Sequence, residues 1–213
     1  MSETALKEKK VKEISGAKDE AANSYTRRLR EGFFEKYLQG KGIDIGCGNN
    51  VVVEGARPWD KGYGDGDATY MEGVENESYD FVYASHVLEH VLDPKEAIKN
   101  WWRILKPKGY LVIAVPDEDL YEQGYWPSLF NDDHKTTWTL FKDKSWSDVS
   151  YNLVSLVQEL PNNNMIYAKK CDENYDYSVD GIKDQQAAER QLEVVVRKEG
   201  ICPKRKKSIA YEI

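Results

Sequence analysis

Apolar residues follow two rhythms along this chain. From Ala21 to Leu38, Ala22, Tyr25, Leu29, Phe33 and Tyr37 recur every three or four residues, which predicts one helix stopped by Gly40 and Gly42. Gly42-Ile43-Asp44-Ile45-Gly46 is a short buried-strand pattern running into glycine, and Tyr79 to Ala84 is a second. Pro94 to Leu105 is amphipathic, with proline in the first turn, where a missing N–H costs least. Pro107-Lys108-Gly109 predicts a turn, and Tyr110 to Val115 a strand halted by Pro116. A helix is expected over Ser147 to Leu160, then strands over Met165–Lys169 and Gln191–Lys198. Strand, helix, turn and apolar strand in that order point to an α/β fold with a parallel sheet.

Three stretches stand apart from this pattern. Residues 1–17 are rich in Lys and Glu and read as a loosely ordered arm. Residues 116–145 are irregular, aromatic and acidic, and long for a plain connection; loops of that kind usually carry function. Residues 201–213 form a basic tail with Lys204, Arg205, Lys206 and Lys207. Between arm and tail, residues 18–200 read as a single domain, which suits a chain of 213 residues.

The charge balance removes some alternatives. Thirty Lys and Arg against 37 Asp and Glu leave a net charge of −7, which argues against a broad nucleic-acid surface. No run approaches the length of a membrane span, and Met1 to Lys10 has no apolar core of a secretory signal. Cys47, Cys171 and Cys202 are odd in number and far apart, which fits a reducing cytoplasm better than a disulfide framework.

Candidate chemistry starts at Ile43-Asp44-Ile45-Gly46-Cys47-Gly48-Asn49. A strand ending in glycines lets backbone approach a ligand where a Cβ would collide. A dinucleotide site would want a third glycine at position 51, which is Val51. An acidic residue just before the glycines suits an amine-bearing ligand better than a pyrophosphate.

Asp-Ile-Gly-Cys-Gly resembles the first motif of class I S-adenosylmethionine-dependent methyltransferases. Ser78 to Val91, with Ala84-Ser85-His86 at its centre, resembles their fourth-strand signature. Trp102 to Tyr110 resembles the helix, turn and strand that follow, and the likeness is nearest the "type 11" branch. It implies a Rossmann-like, mostly parallel seven-stranded sheet with helices on both faces and an antiparallel late strand. It implies S-adenosylmethionine as cofactor, with Gly46, Cys47 and Gly48 lining its turn and Asp44 under its amino-acid end. Asp60 is the expected ribose carboxylate, with Asp65 as competitor, and Asp67-Ala68 resembles the adenine-side motif. Ser85 is expected at the cofactor, and His86, at the C-terminal end of a parallel strand, is a candidate for the cofactor or substrate wall. The interval from Gly48 to the fourth-strand signature is short for the family, so the first crossover helix must be cut down.

His86-Val87-Leu88-Glu89-His90 also fits H-x-x-E-H, in which two histidines share a helix face and hold zinc. Its position directly after a buried strand favours the methyltransferase reading, and no metal is expected there. His134, in Asn131-Asp132-Asp133-His134-Lys135, is the candidate general base, with Asp133 as a guess for the carboxylate that orients it. Asp132 and Asp133 as Mg²⁺ ligands are the weaker alternative. Tyr121, Tyr125, Trp126 and Trp138 make the same loop suit a saccharide. The expected function is methyl transfer to a small polar acceptor, O-methylation of a saccharide or phosphorylated precursor as in surface-glycan biosynthesis. No nucleic-acid or membrane partner is expected, and the protein is a monomer or homodimer. The alternative is a non-catalytic S-adenosylmethionine-binding or regulatory protein on the same scaffold.

Overall fold

Runs that alternate between two apolar faces become the sheet. The computed structural model describes residues 20–142 and 144–200, so the expected arm and basic tail lie outside the described residues. Among the described residues the α-helices are α1 (Glu20–Arg30), α2 (Phe33–Tyr37), α3 (Pro94–Ile104) and α4 (Leu153–Gln158). The strands are β1 (Gly42–Ile45), β2 (Arg57–Trp59), β3 (Tyr79–Ser85), β4 (Leu105–Pro116), β5 (Thr137–Thr139), β6 (Ser150–Asn152), β7 (Asn163–Cys171) and β8 (Gln191–Lys198). The main sheet has the order β2-β1-β3-β4-β8-β7. Its first four strands are parallel, and β8 is antiparallel to both β4 and β7. No helix among the described residues is long and apolar enough to cross a membrane.

Side chains of period two sort to opposite faces. Ile43, Ile45, Val82, Leu111, Ile113 and Val194 meet α3 and α4 through Ile98, Trp101, Trp102, Leu153 and Val157. Phe81, Tyr83, Val112 and Val195 meet Phe33, Phe34 and Leu38 on the other side. Helices therefore cover both faces. Asp93 caps α3 by accepting from the Glu96 amide at 3.0 Å, with Pro94 in its first turn.

Four expectations are corrected. Among the described residues the sheet has six strands rather than seven: residues 60–78, with Gly62, Gly64, Gly66 and Gly73, form a short 3-10 turn at Lys61–Tyr63 and further turns instead of another edge strand. The first helix breaks at Gly32, whose φ of 63° is left-handed, giving α1 and α2. Pro107-Lys108-Gly109 is not a separate turn before a strand that starts at Tyr110: β4 starts at Leu105 and includes it as an irregularity, with Lys108 at φ 71° and a shift of register between Tyr79 and Phe81. The helix expected from Ser147 shrinks to α4, because Ser150–Asn152 pairs with β5 and Asn152 caps α4 through the Ser155 amide. The cut-down crossover is present, since residues 46–56 hold turns and no helix.

The long segment after β4 is largely docked. A π-helical turn, Glu118–Glu122, starts it, and Trp138 and Leu140 are buried in the main core. Glu118, itself buried, receives Ser145, Ser150 and Lys142.

One charged cluster binds α1 to the sheet. Arg28 Nε donates to Glu193 Oε2 at 2.7 Å, and Arg27 donates to Glu193 at 3.2 Å and to Glu189 at 2.9 Å. The Tyr167 hydroxyl donates to Glu193 at 2.7 Å. Burial opposes ionisation of Glu193, yet Arg28 and Arg27 hold its carboxyl down to about 2. Burial pushes the Glu189 carboxyl up despite Arg27.

Candidate functional site

Parallel strands leave their C-terminal ends as a shelf where the chain must turn, and ligands of α/β sheets bind there. A cavity of about 480 Å³ opens at this shelf, floored by Asp44, Gly46, Cys47, Gly48, Ser85 and His86. Asp44 is buried and accepts from the Val52 amide at 2.6 Å, pinning the loop that replaces the crossover helix. Gly46 has a φ of 70°, and a Cβ there would meet Val87 Cγ2 at 2.2 Å. Gly48 has a φ of 53°, and a Cβ there would meet nothing within 4 Å, so backbone angle alone favours glycine. Burial and then Asp44 push the Cys47 thiol up to about 11, which makes it a wall and not a nucleophile.

The remaining expected cofactor residues sit outside this lining. Asp60 follows β2 and accepts from the Gly48 amide at 3.2 Å and the Gly62 amide at 2.8 Å, so it stands beside the glycine turn. Asp65 is turned to Arg57 and to the Asp60 amide. Asp67 accepts from the Thr69 amide at 2.7 Å, and hydrogen bonds from Thr69 hold its carboxyl below the ordinary value. The Ala68 carbonyl accepts from Trp101 Nε1.

The other wall gathers three histidines. His86 lies at the end of β3 with a φ of 58°, and its Nε2 meets Gln191 Oε1 at 2.8 Å. Glu89 is fully buried and lines the cavity. Burial opposes its ionisation, but His86, His90 and His134 hold its carboxyl below the ordinary value. His134 is buried, with Nδ1 2.7 Å from Glu122 Oε1. The expected His134–Asp133 partnership is therefore corrected: Asp133 instead meets His90 Nδ1 at 2.9 Å and Lys135 at 2.9 Å. Glu122, twelve positions upstream at the end of the π-helical turn, takes the orienting place. Tyr121 and Asn131 join this wall, whereas Trp138 is in the core stacked on Tyr151 and Tyr125 is half-exposed.

Arg28 is the site residue that sequence reasoning missed. It is buried, spans Glu193 and the Tyr83 hydroxyl, and lines the cavity. Its Nη2 has no hydrogen-bond partner. The signal was an arginine three positions after Tyr25, on the face that Tyr25 and Leu29 mark as inward.

A family profile described as a methyltransferase domain matches residues 17–148. No curated protein matches the chain in sequence. Among solved structures, an S-adenosylmethionine-dependent methyltransferase from Thermotoga maritima superposes with a TM-score of 0.53 at 17% identity, over 84% of this chain and 92% of the other. A Listeria monocytogenes protein described as an S-adenosylmethionine-dependent methyltransferase gives 0.53 at 13% identity, over 84% and 98%. At these identities the likeness is one of fold.

Proposed function

The chain belongs to the methyltransferase-domain family, and from that premise we propose that it moves the methyl group of S-adenosylmethionine to a hydroxyl of a small polar acceptor. The observation that carries the reading is the pairing of Arg28 and Asp44 on one cavity. A free guanidinium nitrogen and a buried carboxylate fit the two charges of the cofactor's amino-acid end, its carboxylate on Arg28 Nη2 and its ammonium toward Asp44. Asp60, beside the Gly48 amide, is the candidate for the ribose hydroxyls. The bound sulfonium supplies a methyl that is already activated. What is left to the protein is alignment, which can contribute several kcal/mol, and management of the acceptor's proton. The wall of imidazoles with Tyr121 and Asn131 supports a hydroxyl-rich acceptor, a saccharide or phosphorylated precursor of the kind built into surface glycans.

Calorimetry tests the cofactor assignment. S-Adenosylmethionine should bind, and its decarboxylated analogue should bind at least about tenfold more weakly, since a hydrogen bond to a charged group is worth about 1.5–3 kcal/mol. Equal affinities would remove Arg28 from the cofactor. No binding at millimolar ligand would favour the regulatory alternative.

Gly46→Ala gives a second expected result. The added methyl would stand 2.2 Å from Val87 at a backbone angle that alanine resists, so the turn must shift. S-Adenosylmethionine affinity should fall about tenfold or more, near 1.4 kcal/mol. Unchanged binding by a folded variant would place the cofactor elsewhere.

A further inference from the structure

We propose that Glu89, His90 and His134 form a binding site for a divalent transition-metal ion, best suited to Zn²⁺, open to the cavity. One donor atom from each lies within 4.8 Å of the other two. The hydrogen bonds behind the rings fix which atoms are available. His134 Nδ1 is 2.7 Å from Glu122 Oε1, and His90 Nδ1 is 2.9 Å from Asp133 Oδ2. An ionised carboxylate only accepts, so each Nδ1 carries the proton and each neutral ring keeps a bare Nε2. Histidines that hold metals are backed by carboxylates in this way.

Glu89 supplies the charge. It is fully buried, and no well-aligned hydrogen bond reaches either carboxylate oxygen, the nearest ring nitrogen being His86 Nδ1. Oε1 stands 3.8 Å from His90 Nε2 and 3.3 Å from His86 Nδ1. Burial of a carboxylate in that state is costly without a compensating cation. Zn–N and Zn–O distances of about 2.0–2.2 Å mean that the three donors must draw together by roughly an ångström. Two imidazoles and one carboxylate favour zinc-like metals over Mg²⁺ or Ca²⁺, which take oxygen. Because all three residues line the cavity, a coordination position faces the space left for the acceptor, as catalytic zinc sites require. The proposal deepens the methyl-transfer reading: the ion would hold the acceptor oxygen and ease loss of its proton. It also reverses the expectation from sequence that H-x-x-E-H here is metal-free, with His134 in place of His86 as the second imidazole.

The test uses the full chain stripped by a chelator and titrated with ZnCl₂ in a calorimeter, with MgCl₂ as comparison. One Zn²⁺ per chain should bind, and Mg²⁺ far more weakly. Asp133→Asn, an exposed change that leaves the core intact, should weaken Zn²⁺ about tenfold or more, the usual effect of removing a carboxylate behind a ligand. Glu89→Gln should weaken it further. The Co²⁺ derivative of the unaltered protein should show ligand-field bands without a thiolate charge-transfer band. Zinc affinity equal in all three proteins, or no binding, overturns the proposal; a thiolate band overturns it by moving the metal to Cys47. S-Adenosylmethionine titrated into the same samples keeps the two readings separate: its binding without zinc binding removes only the metal, and the converse removes only the cofactor assignment.

Discussion

Glu193→Ala should cost the fold about 3–5 kcal/mol, the usual loss when one partner of a buried ion pair is removed. Glu193 is the common acceptor for Arg28, Arg27 and Tyr167, and all its side chain is buried. Without it, Arg28 keeps the Tyr83 hydroxyl but no anion, and Arg27 keeps Glu189. Urea unfolding with an unchanged slope checks the number, and a loss below about 1 kcal/mol would mean that water replaces the carboxylate. The pH dependence follows from the sign of the shift. A carboxyl held down to about 2 in the folded chain stabilises it fully above the ordinary carboxylate range. That contribution fades as pH falls from about 4.5 toward about 2. The alanine variant should lack this part of the acid sensitivity.

His134→Ala is expected to lower turnover by at least about a hundredfold, the lower end of effects for a positioned proton-handling group. S-Adenosylmethionine affinity should barely move, because Arg28, Asp44 and the glycine turn hold the cofactor in the proposed arrangement. Release of S-adenosylhomocysteine with a panel of saccharide acceptors reads turnover, and calorimetry reads affinity. If both collapse together, the segment after β4 serves as a cover for the cofactor. If turnover survives, the imidazole is part of the wall only. A normal metal content in a variant with lost turnover would return Nε2 to the role of direct base.

Local signals made much of this legible. Gly42–Ile45 and Tyr79–Ser85 are short apolar runs ending at glycine or at a polar residue, and Gln191–Lys198 carries the run Val194-Val195-Val196 of a strand covered on both faces. The glycine turn could be read because its residues are adjacent in the chain. Long-range partnerships left no such trace. Arg27 and Arg28 show no local sign of the anions that make their burial tolerable: Glu189 lies 162 positions beyond Arg27 and Glu193 lies 165 beyond Arg28. His134 sits next to Asp133, yet bonds Glu122, because the π-helical turn brings that carboxylate back over the ring. Ser150–Asn152 falls inside the helix expected from Ser147, but Ser, Tyr and Asn favour helix only weakly and the segment pairs with Thr137–Thr139 instead. The turn signal at Pro107-Lys108-Gly109 survives as an irregularity inside β4, where Lys108 is left-handed and the register jumps from Leu105 to Tyr110.

The tie between α1 and β8 sets an order of events during protein synthesis. Arg28 leaves the ribosome before Glu193, which emerges 165 residues later. At about 5–20 residues per second, that interval is on the order of ten seconds or more. Through it, α1 has no anion to draw its arginines onto the sheet, although β1 and β3 are already out. In the proposed arrangement a nascent chain therefore cannot offer the cofactor its complete charge complement, and a chain cut short before β8 would carry the glycine turn but not the settled guanidinium.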